Sequence, residues 1–212
     1  MVQAGSQDLD VAEKLGGNAM SVSVLKPKPL TVPTPGPCPV ITTERLALRP
    51  HRVADADNIA ASLGDFQVTR MLSRVPTPYH RQDALDWLSP KISGLMPDWT
   101  FAVTEADDVH IGTLSLEIRH GCWHLGYWLN RFYWGRGFVS EAAPAAIERF
   151  FRRMPETTLY SGAFADNPAS LKIQQKLGFR ITGCRDLYCL SRNAMVPHLE
   201  TVLTPEDFRP RS

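Results

Sequence analysis

The runs WTFAVTEA (99–106), IGTLSLEIR (111–119) and WHLGYWLN (123–130) follow one another with only short links between them. Each has the apolar alternation or the β-branched and aromatic content of a strand. The polar link ADDVH between the first two reads as a hairpin loop. Three strands in succession predict an antiparallel meander, and no other feature constrains the fold as much. A meander at this point is not the βαβ unit of a doubly wound dinucleotide-binding sheet.

The rest of the chain is arranged around that meander. TERLALRP (43–50) alternates like a half-buried strand. Asp55 and Asp57 then precede the apolar run IAASL and mark a helix start. RQDALDWLSPKISG (81–94) predicts a second helix, which Pro90 should kink or end. After the meander come a helix over SEAAPAAIERFFRRM (140–154), a strand over TTLYSGAF (157–164) and a helix over NPASLKIQQKLG (167–178). FRITGC (179–184) and HLETVLT (198–204) supply two last strands. The order β-α-α-β-β-β-α-β-α-β-β predicts an α/β (α+β) domain with a mixed sheet, antiparallel first and then partly parallel.

Residues 1–40 differ in character. KPKPLTVPTPGPCP carries six prolines, which favour extended chain and forbid helix. They are read as a tail or arm outside a folded domain at 41–212. Such an arm is either a leader without a role or a segment that packs on a neighbouring subunit, which leaves a homodimer open.

Composition excludes several classes. With 23 basic against 22 acidic residues the net charge is +1, without the basic stripe of a nucleic-acid binder. No apolar run is long enough for a membrane span. The polar opening QAGSQDLDVAEKL lacks the order of a signal peptide. Cys38, Cys122, Cys184 and Cys189 show no metal-ligand spacing. Reduced thiols in a cytoplasmic protein without a metal are the expectation.

The stretch GYWLNRFYWGRGFVSEA (126–142) joins the third meander strand to a helix. Gly135 and Gly137 let the backbone turn and let N–H groups approach a ligand. The first N–H groups of the helix lack intrahelical partners and suit a phosphate or diphosphate. Arg136, Arg131 and Ser140 could add charge and a hydroxyl donor. GRGFVS has Ser140 where a dinucleotide fingerprint needs its third glycine, and no GK[ST] follows as in a P-loop.

A second motif, ADNPASLKIQQKLGF (165–179), places Asn167 as helix cap, Pro168 at the first helical position and Gly178 at the end. Asn167, Ser170 and Gln174 fall on one helical face. That face is either solvated or lines a cofactor channel.

The two motifs in this order, together with TERLALRP, resemble the GNAT superfamily of acetyl-CoA-dependent N-acetyltransferases, in its RimJ/RimL-type branch. The resemblance covers roughly residues 41–205. In the family's pattern Trp134 stands where Gln or Arg is usual and Val139 where Gly or Ala is usual; Gly137 matches. The resemblance implies the GNAT fold, an antiparallel meander joined to a splayed parallel pair with flanking helices. It implies that the pantetheine of acetyl-CoA pairs with backbone groups of Trp128, Leu129 and Asn130. The diphosphate would lie on the N–H groups of Arg136, Gly137, Phe138, Val139 and Ser140, with Trp134, Gly135, Asn167 and Ser170 also binding the cofactor. It further implies direct attack of a primary amine on the thioester. The Leu129 N–H would hold the oxyanion, Ser170 would protonate the thiolate, and His124, or secondly Glu117, would act as base. The implied acceptor is an amine, with the branch pointing to a protein or peptide N-terminus. A small-molecule amine such as a polyamine or an antibiotic, and a non-catalytic acyl-CoA-binding module, stand as alternatives.

Overall fold

The computed structural model describes residues 33–105 and 107–210. Its strands form one eight-stranded sheet, named here in chain order: β1 (Ile41–Thr42), β2 (Ala47–Pro50), β3 (Trp99–Thr104), β4 (His110–Arg119), β5 (Cys122–Leu129), β6 (Leu159–Phe164), β7 (Arg180–Cys189) and β8 (Ala194–Leu203). The helices are α1 (Ala56–Leu63), α2 (Phe66–Thr69), α3 (Arg81–Ile92), α4 (Phe138–Arg153) and α5 (Pro168–Leu177). The spatial order is β1-β2-β3-β4-β5-β6-β8-β7. Every neighbouring pair is antiparallel except β5–β6, which is parallel.

The expected meander is β3–β4–β5. All six residues of β3 are buried, so this strand runs through the middle of the fold. One face of the sheet carries α4 and α5 and the larger core, where Trp99, Phe101, Leu114, Leu116, Trp123 and Phe150 pack with the buried face of α4. That face repeats at helical spacing: Ala142, Ala143, Ala146, Ile147, Phe150 and Phe151. Arg152 and Arg153 occupy its last turn, where cations complement the helix dipole. The opposite face is covered by α1 and α3, whose buried residues Ile59, Leu63, Ala84 and Leu88 form a second, smaller cluster.

Several elements differ from the sequence reading. The strand expected over 43–50 begins only at Ala47: Thr43 N–H and its hydroxyl both bond the Leu46 carbonyl and turn the chain, and a separate short strand, Ile41–Thr42, precedes that turn. Asp55 directly precedes α1, as expected of a helix start, but its side chain serves Arg49 and the Arg52 N–H and not the first turn of α1. It is buried and receives both Arg49 guanidinium nitrogens at 2.8 and 2.9 Å. Pro90 lies within α3, which continues to Ile92. The last two strands run as a long hairpin, Arg180–Cys189 with Ala194–Leu203, well beyond the short segments expected. The proline-rich segment up to residue 32 lies outside the described residues. From residue 35 the chain is attached to the domain: the Pro35 carbonyl accepts from Arg153 (2.8 Å) and the Gly36 carbonyl from the Trp99 indole (2.9 Å).

Candidate active site

The parallel pair β5–β6 is short. Only Trp123↔Leu159 and His124↔Tyr160 are in register, after which the strands diverge. Ser161 reaches across at the divergence to donate to the Leu125 carbonyl at 3.0 Å. Beyond it a wedge-shaped gap opens toward the C-terminal ends of both strands, so one edge of β5 is left without a strand partner. The Asn130 N–H bonds the Ile111 carbonyl on the β4 side at 2.9 Å. Strand alternation then turns the backbone groups of Trp128 and Asn130 toward β4, and those of Tyr127 and Leu129 toward the gap. Of the three residues expected to pair with a pantetheine, Leu129 alone presents its N–H there, and Tyr127 joins it. The Leu129 carbonyl is already taken by the Trp134 indole N–H at 2.9 Å.

At the mouth of the gap the chain makes one 3₁₀ turn, Arg131–Tyr133, and then passes through Gly135 and Gly137, both with positive φ (+74° and +78°). L side chains rarely adopt this conformation, which accounts for both glycines. Asn130 anchors the turn, accepting from Phe132 N–H and donating to Ser62 Oγ at 3.0 Å each. Among the described residues, no acceptor bonds the N–H groups of residues 135 through 140; the first donor of α4 in use is Glu141, to the Gly137 carbonyl. Six consecutive free donors thus lead into the N-terminus of a 16-residue helix, an arrangement suited to an anion. Glu141 and Arg45 hold the mouth rigid. Glu141 accepts from Thr43 Oγ1 (2.6 Å), Arg45 N–H (2.8 Å) and Arg45 Nε (2.7 Å), and Arg45 Nη1 donates to the Arg136 carbonyl (3.0 Å). Arg136 is exposed and stacks on Tyr133, whereas Arg131, expected to add free charge, is paired with Asp65 at 2.9 Å. Val139 is half-buried against the main core, so its side chain turns away from the donors.

The second motif closes the other side of the gap. Asn167 caps α5, accepting from Ser170 N–H at 3.1 Å. Ser170 Oγ lies 2.9 Å from the Tyr127 hydroxyl and 3.2 Å from Gln174 Nε2. Gln174 is buried, donates to the Gly162 carbonyl and accepts from Thr201 Oγ1 at 2.6 Å, which ties α5 to β6 and β8. Burial raises the Tyr127 phenol above its ordinary value, so it remains an O–H donor. The sequence assigns Tyr127 no partner. The only hint of its partner was β5 alternation, which puts it on the α4–α5 side with Trp123 and Leu125.

The opposite face of the gap carries His124 and Glu117, directly opposed across β4–β5. His124 Nδ1 lies 3.0 Å from the Cys122 carbonyl. Donation there leaves Nε2 with a lone pair. Burial, with Arg119 and Arg74 acting the same way, holds this imidazole below its ordinary pKa, so it is neutral near pH 7. Glu117 is in a different state. Burial pushes its carboxyl up, but Arg119, Lys91 and Arg74 outweigh it and hold the pKa at about 2. A carboxylate so stabilised is a poor proton acceptor. The same face holds His198, unremarked in the sequence, whose ring lies over Gly162; a Cβ there would collide with the ring. Its Nδ1 is buried without a partner.

A strap of chain roofs this face. Between α2 and α3, Arg70 pairs with Asp166 just after β6 (2.7 Å) and Arg74 pairs with Glu117 on β4 (2.8 Å). The tip of the β7–β8 hairpin holds the strap, with Leu190 N–H on the Ser73 carbonyl and Arg192 Nε on the Arg70 carbonyl.

A seamed sheet with an anion mouth is the architecture of an acyl-CoA-dependent transferase. The family model for the acetyltransferase (GNAT) domain matches residues 45–180, and the chain belongs to that family as an acetyl-CoA-dependent N-acetyltransferase. It is 29% identical over 147 residues to the uncharacterized N-acetyltransferase p20 of Bacillus licheniformis, covering 66% of this chain and 82% of that one. In fold it is similar to Mycobacterium smegmatis RimJ in complex with CoA-disulfide (TM-score 0.67, 20% identity, 82% of this chain and 90% of that one). A RimL ribosomal L7/L12 alpha-N-protein acetyltransferase in complex with coenzyme A is similar too (TM-score 0.67, 17% identity, 80% and 99%). No helix among the described residues is long and apolar enough to cross a membrane, and no cluster of His, Cys, Asp or Glu there has metal-binding geometry.

Proposed function

We propose that the chain acetylates the N-terminal α-amine of a protein or peptide, with acetyl-CoA lying in the β5–β6 gap. The six free N–H groups of residues 135–140 carry this reading. They offer a diphosphate more donors than a side-chain cluster could, at the end of the gap into which an extended pantetheine fits as an added strand. The RimJ and RimL likeness supports the choice of acceptor.

The chemistry follows from the positions. A free amine is mostly protonated at neutral pH and must lose a proton to attack. His124 Nε2, kept neutral by burial and by its arginine neighbours, takes that proton directly or through water. The amine nitrogen bonds the carbonyl carbon, and negative charge on its oxygen is met by the Leu129 N–H facing the gap. As the C–S bond breaks, the nitrogen gives up its second proton to solvent, Ser170 Oγ gives its proton to the thiolate, and Tyr127, 2.9 Å away, replaces that proton and is itself reprotonated from solvent. Glu117 is assigned no proton transfer; it organises the arginines around it.

The test is thiol release from acetyl-CoA with peptides bearing free and blocked N-termini, alongside polyamines and aminoglycosides. Turnover that requires a free peptide α-amine supports the reading. Turnover confined to polyamines or aminoglycosides overturns the choice of acceptor.

A further inference from the structure

The roofed face of the gap carries more cation than its carboxylates can neutralise, and the surplus lies on both flanks. On one flank, Glu117 Oε1 is shared by two guanidinium groups, Arg74 at 2.8 Å and Arg119 Nε at 2.6 Å. The third cation there, Lys91, already has its own partner in Asp98 at 2.9 Å. On the other flank, Asp166 is shared by Arg70 at 2.7 Å and Arg192 at 2.8 Å. Each carboxylate balances one guanidinium and leaves one over. Arg70 and Arg74 belong to the same strap, which thus carries one arginine from each of the two clusters. Arg185 and Glu200, farther along the face, cancel at 2.6 Å.

The charges are placed for use. The Arg119 guanidinium lies along Gly126, where a Cβ would come within 3.3 Å of it, and so borders the gap itself. The Arg74 side chain is 66% exposed and free to turn one edge of its fork to a ligand. Burial lowers the pKa of both His124 and His198, and arginines of this face lower it further.

We infer that the acceptor is an amine with an anionic group beside it, in peptide form an N-terminus followed by acidic residues, recognised by Arg74 and Arg119 on one flank and Arg70 and Arg192 on the other. The inference rests on the amine-acetylation reading above and narrows it. A polycationic acceptor would meet like charge on both sides of its path, whereas an acidic one supplies the missing counter-charge. The same field helps hold the attacking amine neutral.

The experiment measures kcat/KM by CoA release with the full chain and acetyl-CoA. Acceptors are matched peptides Ser-Asp-Glu, Ser-Gly-Gly and Ser-Lys-Lys extended by a common neutral tail, plus free aspartate and spermidine. The acidic peptide is expected to exceed the basic one by about tenfold or more, with the ratio shrinking as salt is raised. Arg74→Ala should bring the ratio within about threefold, and Arg74→Lys should restore most of it. Aspartate outrunning every peptide would keep the charge requirement and assign it to a small acceptor. Equal rates for acidic and basic peptides, or spermidine as the best acceptor, would overturn the inference while leaving amine acetylation in place. Absence of turnover with every amine would overturn both.

Discussion

Ser170 Oγ and the Tyr127 hydroxyl lie 2.9 Å apart, one on α5 and the other on β5, and together close the floor of the gap. Removing either should separate chemistry from binding. Ser170→Ala is expected to lower kcat by about ten- to a hundredfold, in the range of a lost general acid. Tyr127→Phe should lower it less, because Ser170 keeps Gln174 as a donor. Acetyl-CoA affinity, read by calorimetry, should move less than threefold in both. An unchanged kcat in Ser170→Ala would remove that residue from the mechanism.

Gly137 has φ +78° at the first turn of α4. Gly137→Asp adds strain and a negative charge among donors that should hold phosphate. Acetyl-CoA binding should weaken by at least about thirtyfold, combining backbone strain with charge repulsion. Circular dichroism checks that the variant is folded. Gly137→Ala adds strain alone and should lie between the two. Wild-type affinity in a folded Gly137→Asp would refute the anion mouth.

His110 is buried against His51 and Trp128, and burial first, then His51 and Arg49 against the opposing pull of Asp55, holds its pKa at about 4. Unfolded, the same side chain titrates near its ordinary value of 6.5. Between those values the unfolded chain binds a proton that the folded chain does not, so stability falls as pH drops through 6.5 and this contribution levels off below about 4. The loss amounts to roughly 3 kcal/mol for His110 alone. His51 is shifted the same way and adds to it. Urea midpoints at pH 7.5, 5.5 and 4.5 measure the slope, which His110→Gln should flatten.

Asp55 accepts two charge-assisted bonds from Arg49 and one from the Arg52 N–H at 2.8 Å. Among the described residues, Asp55→Ala leaves the buried guanidinium with only the exposed Asp108 as ionic partner. The expected cost is about 3–5 kcal/mol of unfolding free energy. A thermal melt shows it as a large drop in midpoint. If the midpoint stays within a degree or two, the pair is not holding the first helix to β2.

Much of this was legible before any coordinates. Local patterns show plainly: the alternation of β3–β5, the glycines before α4, and the cap and terminator of α5, because each depends on residues a few positions apart. What sequence reading missed depends on contacts between distant segments. Asp55 is legible as the start of α1 but not as the partner that β2 brings against Arg49. Tyr127 and Ser170 are 43 positions apart and meet because β5 and α5 border the same gap. His198 could not be linked to Gly162 until β8 was seen to pair with β6 rather than lie at the sheet edge. The outer hairpin was underestimated because its strands expose Ile181, Tyr188 and Met195 and so break the alternation.

The diverging strands have one more effect. Unpaired strand edges usually sit at the rim of a sheet, where another chain can add to them. Here the open backbone edge lies in the middle of the sheet, between β5 and β6, and not at its rim. The molecule can thus accept an elongated guest by strand-like pairing while presenting that edge to no other polypeptide. Capacity for ligand and protection from misassembly come from the same divergence after His124.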